Sequence, residues 1–303
     1  MSMSESARRL LLSEWIKPSS DNEKSQQERA ERMVRDAVKS SDAFNSSNVK
    51  IYTKGSYPNN TNVRQDSDVD VVVELQDCVY YDYLPGQEPA TETSKPYSGS
   101  WTPATWRSAV RAAMVAHFGT SSVSAGRIAI NINAVSGSRP SADVVPSFDY
   151  FRYDDPSRCA AHNGSCVFPS DGTKKIINWP DQQLKNGQAL NSRTGSRYKY
   201  YVRALKNAEN TLADAGTIND LPSYFMEGVV YNVPVTTLRA GDLDDGFQAT
   251  LYYLWSGLKD GSAQDNWVEP NELKWLFKGH QKWTVDDARG LVRATWNYLG
   301  YGS

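Results

Sequence analysis

The chain has 303 residues, enough for one large domain or for two ordinary domains with an ample core. Apolar residues make up 39% and charged residues 22%, which is typical of a globular protein and excludes a disordered one. The formal net charge of −2 supplies no global basic field, so we expect no long nucleic acid as a partner.

The compartment can also be predicted from composition. No apolar run approaches the roughly 20 residues of a membrane helix, so we expect no membrane association. The first residues include an early Glu5 and a run of only three leucines at 10–12, which is not the pattern of a signal peptide. Three cysteines, an odd count, predict reduced thiols and a cytoplasmic location.

The predicted elements change in character along the chain. In the first part, helices are predicted at 5–16, 22–41 and 104–118, and strands at 49–53, through Asp68 and Asp70, and at 121–124, 127–133 and 141–147. Residues 77–103, rich in Tyr, Pro and Ser, predict a surface insertion. Beyond about residue 173 the pattern predicts helices at 180–191, 195–214, 222–233, 244–259 and 286–299. An α/β half is therefore followed by a helical half, in which five late tryptophans are interpreted as core packing.

The stretch from Lys54 to Glu74 carries the strongest functional signal. Asp68 and Asp70 stand two positions apart in a valine-rich strand, so their carboxylates point to one face. Adjacent carboxylates repel each other unless a cation lies between them, and Mg²⁺ takes one or two carboxylates plus substrate phosphates. Gly55 lets the backbone approach a ligand closely, and Ser56 offers a hydroxyl and an amide to phosphate oxygens. The stretch predicts a metal-dependent site for a nucleoside triphosphate.

Two alternatives exist for this acidic motif. Asp-x-Asp is common in solvated turns and caps. Asp66, Asp68 and Asp70 also repeat at every second position, as in a calcium loop, but that loop needs Gly where Val71 stands. The run 71–73 is all valine, which is typical of a strand, so we set calcium aside.

A third acid, Asp143, lies alone among apolar residues of the segment 141–145. Its charge is costly there without a partner, although a surface acid at a strand end would explain it equally well. If this strand lies beside that of Asp68 and Asp70, three carboxylates converge. They would suffice for two Mg²⁺ ions about 3.5–4 Å apart, for which Mn²⁺ could substitute, one activating an attacking hydroxyl and one holding the leaving pyrophosphate.

The helix predicted at 195–214 has two distinct faces. Its apolar stripe comprises Tyr198, Val202, Leu205 and Leu212, and its polar stripe comprises Lys199, Arg203, Lys206 and Asn210. A basic stripe is ordinarily a solvated surface, and that interpretation stays open beside phosphate binding.

The next helix is predicted to begin at Pro222 and Ser223. A helix N-terminus with a serine is well suited to bind phosphate, and an ordinary N-cap is the alternative for Ser223. Tyr224 is in a position to stack on a base.

Together these motifs resemble the polymerase-β-type nucleotidyltransferase signature: Gly55-Ser56, eleven residues, Asp68-Val69-Asp70 and a later Asp143. The chain resembles most the cGAS/DncV-like nucleotidyltransferases (CD-NTases) of bacterial antiphage defence, and among them the clade E, or CdnE-type, enzymes. The resemblance spans nearly the whole chain and is carried by KGSYPNNTNVRQDSDVDVVV, NGQALNSRTGSRYKYYVRALKNAEN and ELKWLFKGHQKWTVDDARGLVRATWNYLG.

The resemblance implies a two-lobed α+β fold. Residues 1–172 would form a mixed-sheet catalytic lobe with a bridging helix at 22–41, and residues 173–303 a helical lobe, with the NTP cleft between them. It implies that Gly55 and Ser56 hold the donor triphosphate and that Asp68, Asp70 and Asp143 are the catalytic ligands of Mg²⁺. It further implies that Lys206 reaches the triphosphate, that Ser223 binds phosphate and that Tyr224 stacks on a base. Lys199 is a second phosphate-binding candidate because it belongs to the same basic stripe as Lys206.

The resemblance also implies a product. Clade E enzymes often make uridine-containing cyclic dinucleotides such as cyclic UMP-AMP, so ATP and UTP are the expected substrates. Asn163 is the candidate to read uracil, because an amide can pair with the O4 and N3–H edge; Asn163-Gly164 is also a hairpin-turn signal. Cys159, His162 and Cys166 offer only three ligands in the spacing of no common zinc motif, so we expect no zinc.

Two other functions stay open. The first is nucleotide addition to RNA or protein, which the lack of a basic tract disfavours. The second is an inert nucleotide-binding module, which the presence of all three acids and of Gly55-Ser56 disfavours. We expect a monomer whose product activates an effector on a separate chain.

Overall fold

The structure, a computed structural model, describes residues 3–18, 21–63, 68–91, 95–279 and 281–302. Asp66, considered above as a calcium ligand, lies outside these ranges. The helices are α1 Glu5–Trp15, α2 Asp21–Lys39, α3 Ser56–Asn59, α4 Pro103–Phe118, α5 Pro180–Arg193, α6 Arg197–Asp214, α7 Ser223–Tyr231, α8 Val235–Leu238, α9 Leu243–Asp260, α10 Ser262–Asn266 and α11 Val285–Tyr298. The strands are β1 Val49–Thr53, β2 Val69–Tyr83, β3 Val123–Ala125, β4 Ile130–Ile132, β5 Ala142–Tyr153, β6 Ala161–Val167 and β7 Ile176–Asn178.

The chain divides into two compact units. The sheet unit comprises Asp21–Tyr57 and Asp66–Pro180, and the helical unit comprises Met1–Ser20, Pro58–Gln65 and Asp181–Ser303. This division differs from the one predicted at 172/173, because α1 and the segment 58–65 group with the helical unit. The sheet unit continues to Pro180 because β7 pairs with β6. Helix α2, predicted to bridge the lobes, is grouped with the sheet unit.

The sheet is mixed, with the order β1-β2-β5-β4-β3. β2 and β5 are parallel, whereas β1 runs antiparallel to β2, and β4 and β6 run antiparallel to β5. β4 pairs with the first residues of β5 and β6 with its last ones, so β5 is the central strand.

Helices α2 and α4 pack on the apolar layer of this sheet. The valines of β2 from Val69 to Val73 are buried, as the strand pattern predicts. Trp106 of α4 is fully buried, and its indole Nε1 donates to the Val73 carbonyl oxygen at 3.3 Å. From α2, Ala30 and Val34 are fully buried. This packing leaves Asp70 at the start of β2 on the opposite side of the strand from Val69.

The predicted surface insertion at 77–103 is wrong over its first residues. β2 continues to Tyr83 and stays paired with β5 up to Tyr153. Aromatic contacts across the strands support this extension, since the Arg158 guanidinium lies over the rings of Tyr81, Tyr83 and Tyr153 at 5.2 to 5.6 Å. Strands β6 and β7, which no local pattern predicts, continue the sheet on the other edge of β5.

More than half of the residues of helix α6 are buried in the helical unit. The predicted apolar stripe is confirmed, because all four of its residues are buried. Arg203 and Lys206 of the basic stripe are buried as well, at 2% and 1% exposure, so a solvated surface is the wrong interpretation for these two. The Arg203 guanidinium donates to the carbonyl oxygens of Ile16 and Asn60, each at 2.7 Å.

The late tryptophans mostly pack in the helical unit, as predicted. Trp267 and Trp283 are buried in its core, and Trp255 and Trp296 pack against it. Trp275 is different, since it is 47% exposed, with the Lys278 ammonium 4.4 Å from its ring centroid. None of the helices in the described part of the chain has the length and hydropathy to span a membrane.

Candidate active site

The turn after β1 brings Gly55 against the start of β2. β1 and β2 pair with Thr53 opposite Val71, and the Lys54 amide donates to the Asp70 carbonyl oxygen at 3.1 Å. Gly55 has a φ of +83°, and a Cβ at this position would lie 2.8 Å from Asp70 Oδ2. Only glycine therefore fits here without displacing the carboxylate.

Two of the three predicted acids are direct neighbours on the sheet. Asp70 of β2 and Asp143 of β5 are partners in the parallel register, so the predicted adjacency of their strands is confirmed. Asp68 precedes β2 and is exposed. Its charge acts on both Asp70 and Asp143, so the three carboxylates form one electrostatic group.

Burial and, to a smaller extent, the neighbouring carboxylates raise the pKa values of the two strand carboxyls. Burial raises the pKa of Asp70, the Lys54 ammonium opposes the rise, and the charge of Asp68 adds to it. Burial also raises the pKa of Asp143; a hydrogen bond from Asn131 opposes this, and the charges of Asp68 and Asp70 add to it. A cation placed among these carboxylates would favour their ionised forms.

Asn131 is a residue of this site that the sequence analysis missed. It lies on β4 directly opposite Asp143, and its Nδ2 donates to Asp143 Oδ1. The bond fixes one oxygen of the carboxylate and leaves the other for a ligand. A signal was present, because Asn131 is a lone polar residue between the buried Ile130 and Ile132, the pattern that identified Asp143.

The donor chemistry of this group fits Mg²⁺. Three carboxylates supply only oxygen ligands, the type that Mg²⁺ takes, and no described residue donates a hydrogen bond to the Asp70 carboxylate. Within the described ranges, no three His, Cys, Asp or Glu side chains stand close enough together to form a metal-binding group as they lie. Like charges repel one another unless a cation is present, so the carboxylates would have to draw together around the ion.

The lysines predicted to contact phosphate lie in the helical unit. Lys206 Nζ is 2.8 Å from Glu227 Oε1 and 3.2 Å from Thr61 Oγ1, so its ammonium belongs to a buried ion pair and does not face a solvent-filled site. Lys199 is half-buried. Burial lowers the pKa of Lys199, and the charge of Glu227 opposes this effect. A direct contact of either lysine with phosphate stays a prediction.

Ser223 and Tyr224 open α7, as predicted. Pro222 is the N-cap and Ser223 the first helical residue, so the alternative of an ordinary N-cap for Ser223 is wrong. Ser223 is exposed. The Tyr224 hydroxyl donates to Glu269 Oε2 at 2.9 Å, and burial, together with this carboxylate, raises the pKa of Tyr224 well above its usual value.

Asn163, the predicted uracil reader, lies within β6 opposite Phe151, so the hairpin-turn alternative is wrong. Its Nδ2 donates to Asp149 Oδ1 at 2.7 Å and to the Tyr150 carbonyl oxygen at 3.3 Å. Its register partner on β5, Phe151, is eight residues from Asp143, which is about 26 Å of strand. Asn163 is thus held far from Asp143 along β5.

The structure therefore groups the predicted residues by unit. The sheet unit brings together Gly55, Ser56, Asp68, Asp70 and Asp143 and holds Asn163 farther along the sheet, whereas the helical unit holds Lys199, Lys206, Ser223 and Tyr224.

Comparison with known proteins identifies the family. The model of the cGAS/DncV-like nucleotidyltransferase C-terminal helical domain matches residues 185–300. A cyclic dipyrimidine nucleotide synthase CdnE from Legionella pneumophila is 37% identical over 289 residues, which cover 94% of this chain and 95% of that protein. The chain belongs to the cGAS/DncV-like nucleotidyltransferases.

Solved structures of CdnE enzymes cover nearly the whole of this CD-NTase. The Elizabethkingia meningoseptica CdnE cyclic dinucleotide synthase, with GTP and Apcpp, has a TM-score of 0.80 and 30% identity over 97% of this chain and 99% of that one. The Rhodothermus marinus CdnE c-UMP-AMP synthase, with Apcpp and Upnpp, has a TM-score of 0.81 and 26% identity over 97% of each chain. The protein is thus a CdnE-type nucleotidyltransferase of the cyclic dinucleotide synthases, and the predicted two-lobed α+β fold of the polymerase-β type is confirmed.

Proposed function

We propose that this enzyme uses Mg²⁺ held by Asp68, Asp70 and Asp143 to make a cyclic dinucleotide that contains uridine, with cyclic UMP-AMP from ATP and UTP as the expected product. The observation that carries the metal site is the register pairing of Asp70 with Asp143, with Gly55 closed against the Asp70 carboxylate. The names of the Legionella and Rhodothermus relatives, a dipyrimidine and a c-UMP-AMP synthase, support uridine in the product.

The residues of the sheet unit would divide the work of nucleotidyl transfer. Ser56 donates to phosphate oxygens of the donor nucleotide, and Asn131 holds the Asp143 carboxylate in place. An acceptor ribose oxygen forms a bond to the α-phosphorus while the bond from that phosphorus to pyrophosphate breaks. Bound Mg²⁺ would neutralise triphosphate charge and lower the pKa of the attacking hydroxyl. A second transfer of the same kind closes the ring.

The experiment that tests this proposal incubates the purified chain with all four NTPs and Mg²⁺, treats the products with phosphatase, and identifies them by mass spectrometry. We expect a phosphatase-resistant cyclic dinucleotide with at least one uridine, and none without Mg²⁺ or Mn²⁺. A purine-only cyclic product would refute the uridine assignment. Label transferred to RNA or protein, or no pyrophosphate release with any NTP mixture, would refute cyclic dinucleotide synthesis itself.

The proposed uracil contact of Asn163 needs its own test, because about 26 Å of strand separates its position from Asp143. Asn163→Ala should reduce UTP incorporation relative to ATP while the rate of pyrophosphate release changes little. An unchanged product ratio would assign base selection to another residue.

We further propose that the cyclic product acts on an effector encoded on a separate chain, in antiphage defence. The resemblance to clade E enzymes supports this role. Phage plating on the natural host would test it: a chromosomal Asp68→Asn/Asp70→Asn variant should lose protection, and equal plating on both strains would refute the defence role.

A further inference from the structure

A single buried carboxylate in the helical unit collects four hydrogen-bond donors. Glu227 of α7 is 3% exposed. It accepts from Lys206 Nζ at 2.8 Å, from Gln183 Nε2 at 3.1 Å, from Asn59 Nδ2 at 3.3 Å and from the Thr61 hydroxyl. A buried charge is costly unless it is paired and hydrogen-bonded, and this one is both. Networks satisfied to this degree hold one geometry, because any shift leaves a buried polar group without a partner.

Two of these donors come from the short segment 58–63. Thr61 is 1% exposed, and its hydroxyl both donates to Glu227 and accepts from Lys206 Nζ at 3.2 Å. Asn59 is 7% exposed and donates to the same carboxylate. These contacts, together with the Arg203 bond to the Asn60 carbonyl oxygen, attach a segment that lies at the end of the four-residue α3 and has no further regular structure.

The position of this segment in the sequence connects its contacts with Glu227 to the proposed active site. Ser56, proposed to bind the triphosphate, precedes Pro58 by two residues, and Asp68, proposed to bind Mg²⁺, follows Val63 by five. The segment is therefore the covalent link between two parts of the proposed site. Ser56 and Asn59 belong to the same helical turn, α3. A segment fixed at Asn59 and Thr61 therefore restricts the positions that Ser56 can take, whereas a loose segment would leave Ser56 to be ordered at the moment of reaction, at an entropic cost.

We propose that Glu227 and Thr61 are positioning residues for nucleotidyl transfer: the buried carboxylate holds the segment that directly follows Ser56, and Lys206 neutralises this carboxylate. This inference rests on the function proposed above for Ser56. It also gives Lys206 a role that does not require contact with a triphosphate, because its ammonium is the counter-charge that lets Glu227 be buried.

The test compares a substitution of Thr61 with a substitution of another donor to the Glu227 carboxylate, one that lies outside the segment 58–63. Thr61→Val removes the hydroxyl but keeps the β-branched shape. Gln183→Met removes a hydrogen bond to Glu227 from α5 and leaves the segment attached. Thr61→Ser restores a hydroxyl. For each variant, the melting temperature, kcat and KM for pyrophosphate release from NTPs with Mg²⁺ are measured.

We expect Thr61→Val to lower kcat about tenfold or more, the scale of a lost hydrogen bond to a charged group. The kcat of Gln183→Met should stay within about twofold of the wild-type value, although its melting temperature falls about as much as that of Thr61→Val. Thr61→Ser should recover most of the activity. The proposal is overturned if Thr61→Val and Gln183→Met lose activity equally, or if Thr61→Val is as active as the wild type. If Thr61→Val does not fold, Asn59→Leu takes its place under the same criteria. Absence of product from the wild type would instead refute the proposed function.

Discussion

Gly55→Ala gives the sharpest test of the proposed metal site, because this substitution acts on Asp70 without changing any acid. A Cβ at residue 55 would lie 2.8 Å from Asp70 Oδ2, where ordinary contact begins at 3.4 Å. The carboxylate oxygen must therefore move by about 0.6 Å, whereas metal–ligand distances tolerate about 0.2 Å. The backbone adds a separate cost, since a φ of +83° is strained for alanine by about 1–2 kcal/mol.

These two effects differ in what they change. The backbone strain lowers the free energy of unfolding by about 1–2 kcal/mol and leaves most of the protein folded. The displaced carboxylate lowers the rate, and a misplacement of about 1 Å costs up to about 100-fold, which sets the upper scale for this smaller shift. We therefore expect Gly55→Ala to fold, to melt a few degrees lower and to make cyclic product more slowly than the wild type, by a factor of up to about 100.

Gly86→Ala is the matched control. Gly86 has nearly the same φ, +81°, and a Cβ there would meet no atom within 4 Å. It should carry the same loss of stability with near wild-type activity, measured by urea denaturation and by pyrophosphate release at saturating NTP and Mg²⁺. If both variants lose activity alike, or if Gly55→Ala is as active as the wild type, the close approach of Gly55 to Asp70 has no role in catalysis.

Four further predictions concern the carboxylates of the proposed metal site and the buried ion pair of the helical unit. Asp68→Asn with Asp70→Asn should abolish cyclic product and any rise of the melting temperature on adding Mg²⁺. Because burial raises the pKa of Asp70, its ionised form costs stability at neutral pH, so Asp70→Asn alone should melt higher without metal. This gain should shrink as the pH falls below the folded-state pKa and vanish below the unfolded-state pKa. Asn131→Leu should lower kcat about tenfold, seen in pyrophosphate release, by freeing the Asp143 carboxylate. Lys206→Met should lower the free energy of unfolding by about 3–5 kcal/mol in urea, and Glu227→Met in addition should restore only part of it, because the other donors to Glu227 then lose their acceptor. Unchanged stability with a raised KM for NTP would instead place the Lys206 ammonium on the triphosphate.

The proposed metal site could be predicted from sequence because the alternation of strand residues indicates which side chains share a face. Asp68 and Asp70 stand two apart before a run of valines, and Asp143 is a lone acid in an apolar strand. Both patterns are local, and in each the buried alternate residues fix which way the carboxylate points. In the folded sheet the two strands pair, and their register places Asp70 opposite Asp143.

The second half of β2 could not be predicted in this way. Residues 77–83 have the composition of a polar, tyrosine-rich loop, and three of these seven residues are exposed. What holds them in a strand is cross-strand contact with residues more than 60 positions away, such as the ring contacts of Tyr81 and Tyr83 with Tyr153 and the Arg158 guanidinium that lies over these rings. Such pairs stabilise a sheet but leave no periodic trace in either segment alone.

The basic stripe of α6 shows where charge patterning fails and what could replace it. Spacing of i, i+4 and i+7 puts charges on one face, but it does not tell whether that face meets water or buried counter-charges. The partner of Lys206 nevertheless left a mark in the sequence: Glu227 is a single acid in the apolar run 225–230. The argument that identified Asp143, that a lone acid among apolar residues needs a partner, applies to Glu227 without change. Applied there, it would have predicted a buried cation nearby and made Lys206 a counter-charge before any coordinates were known.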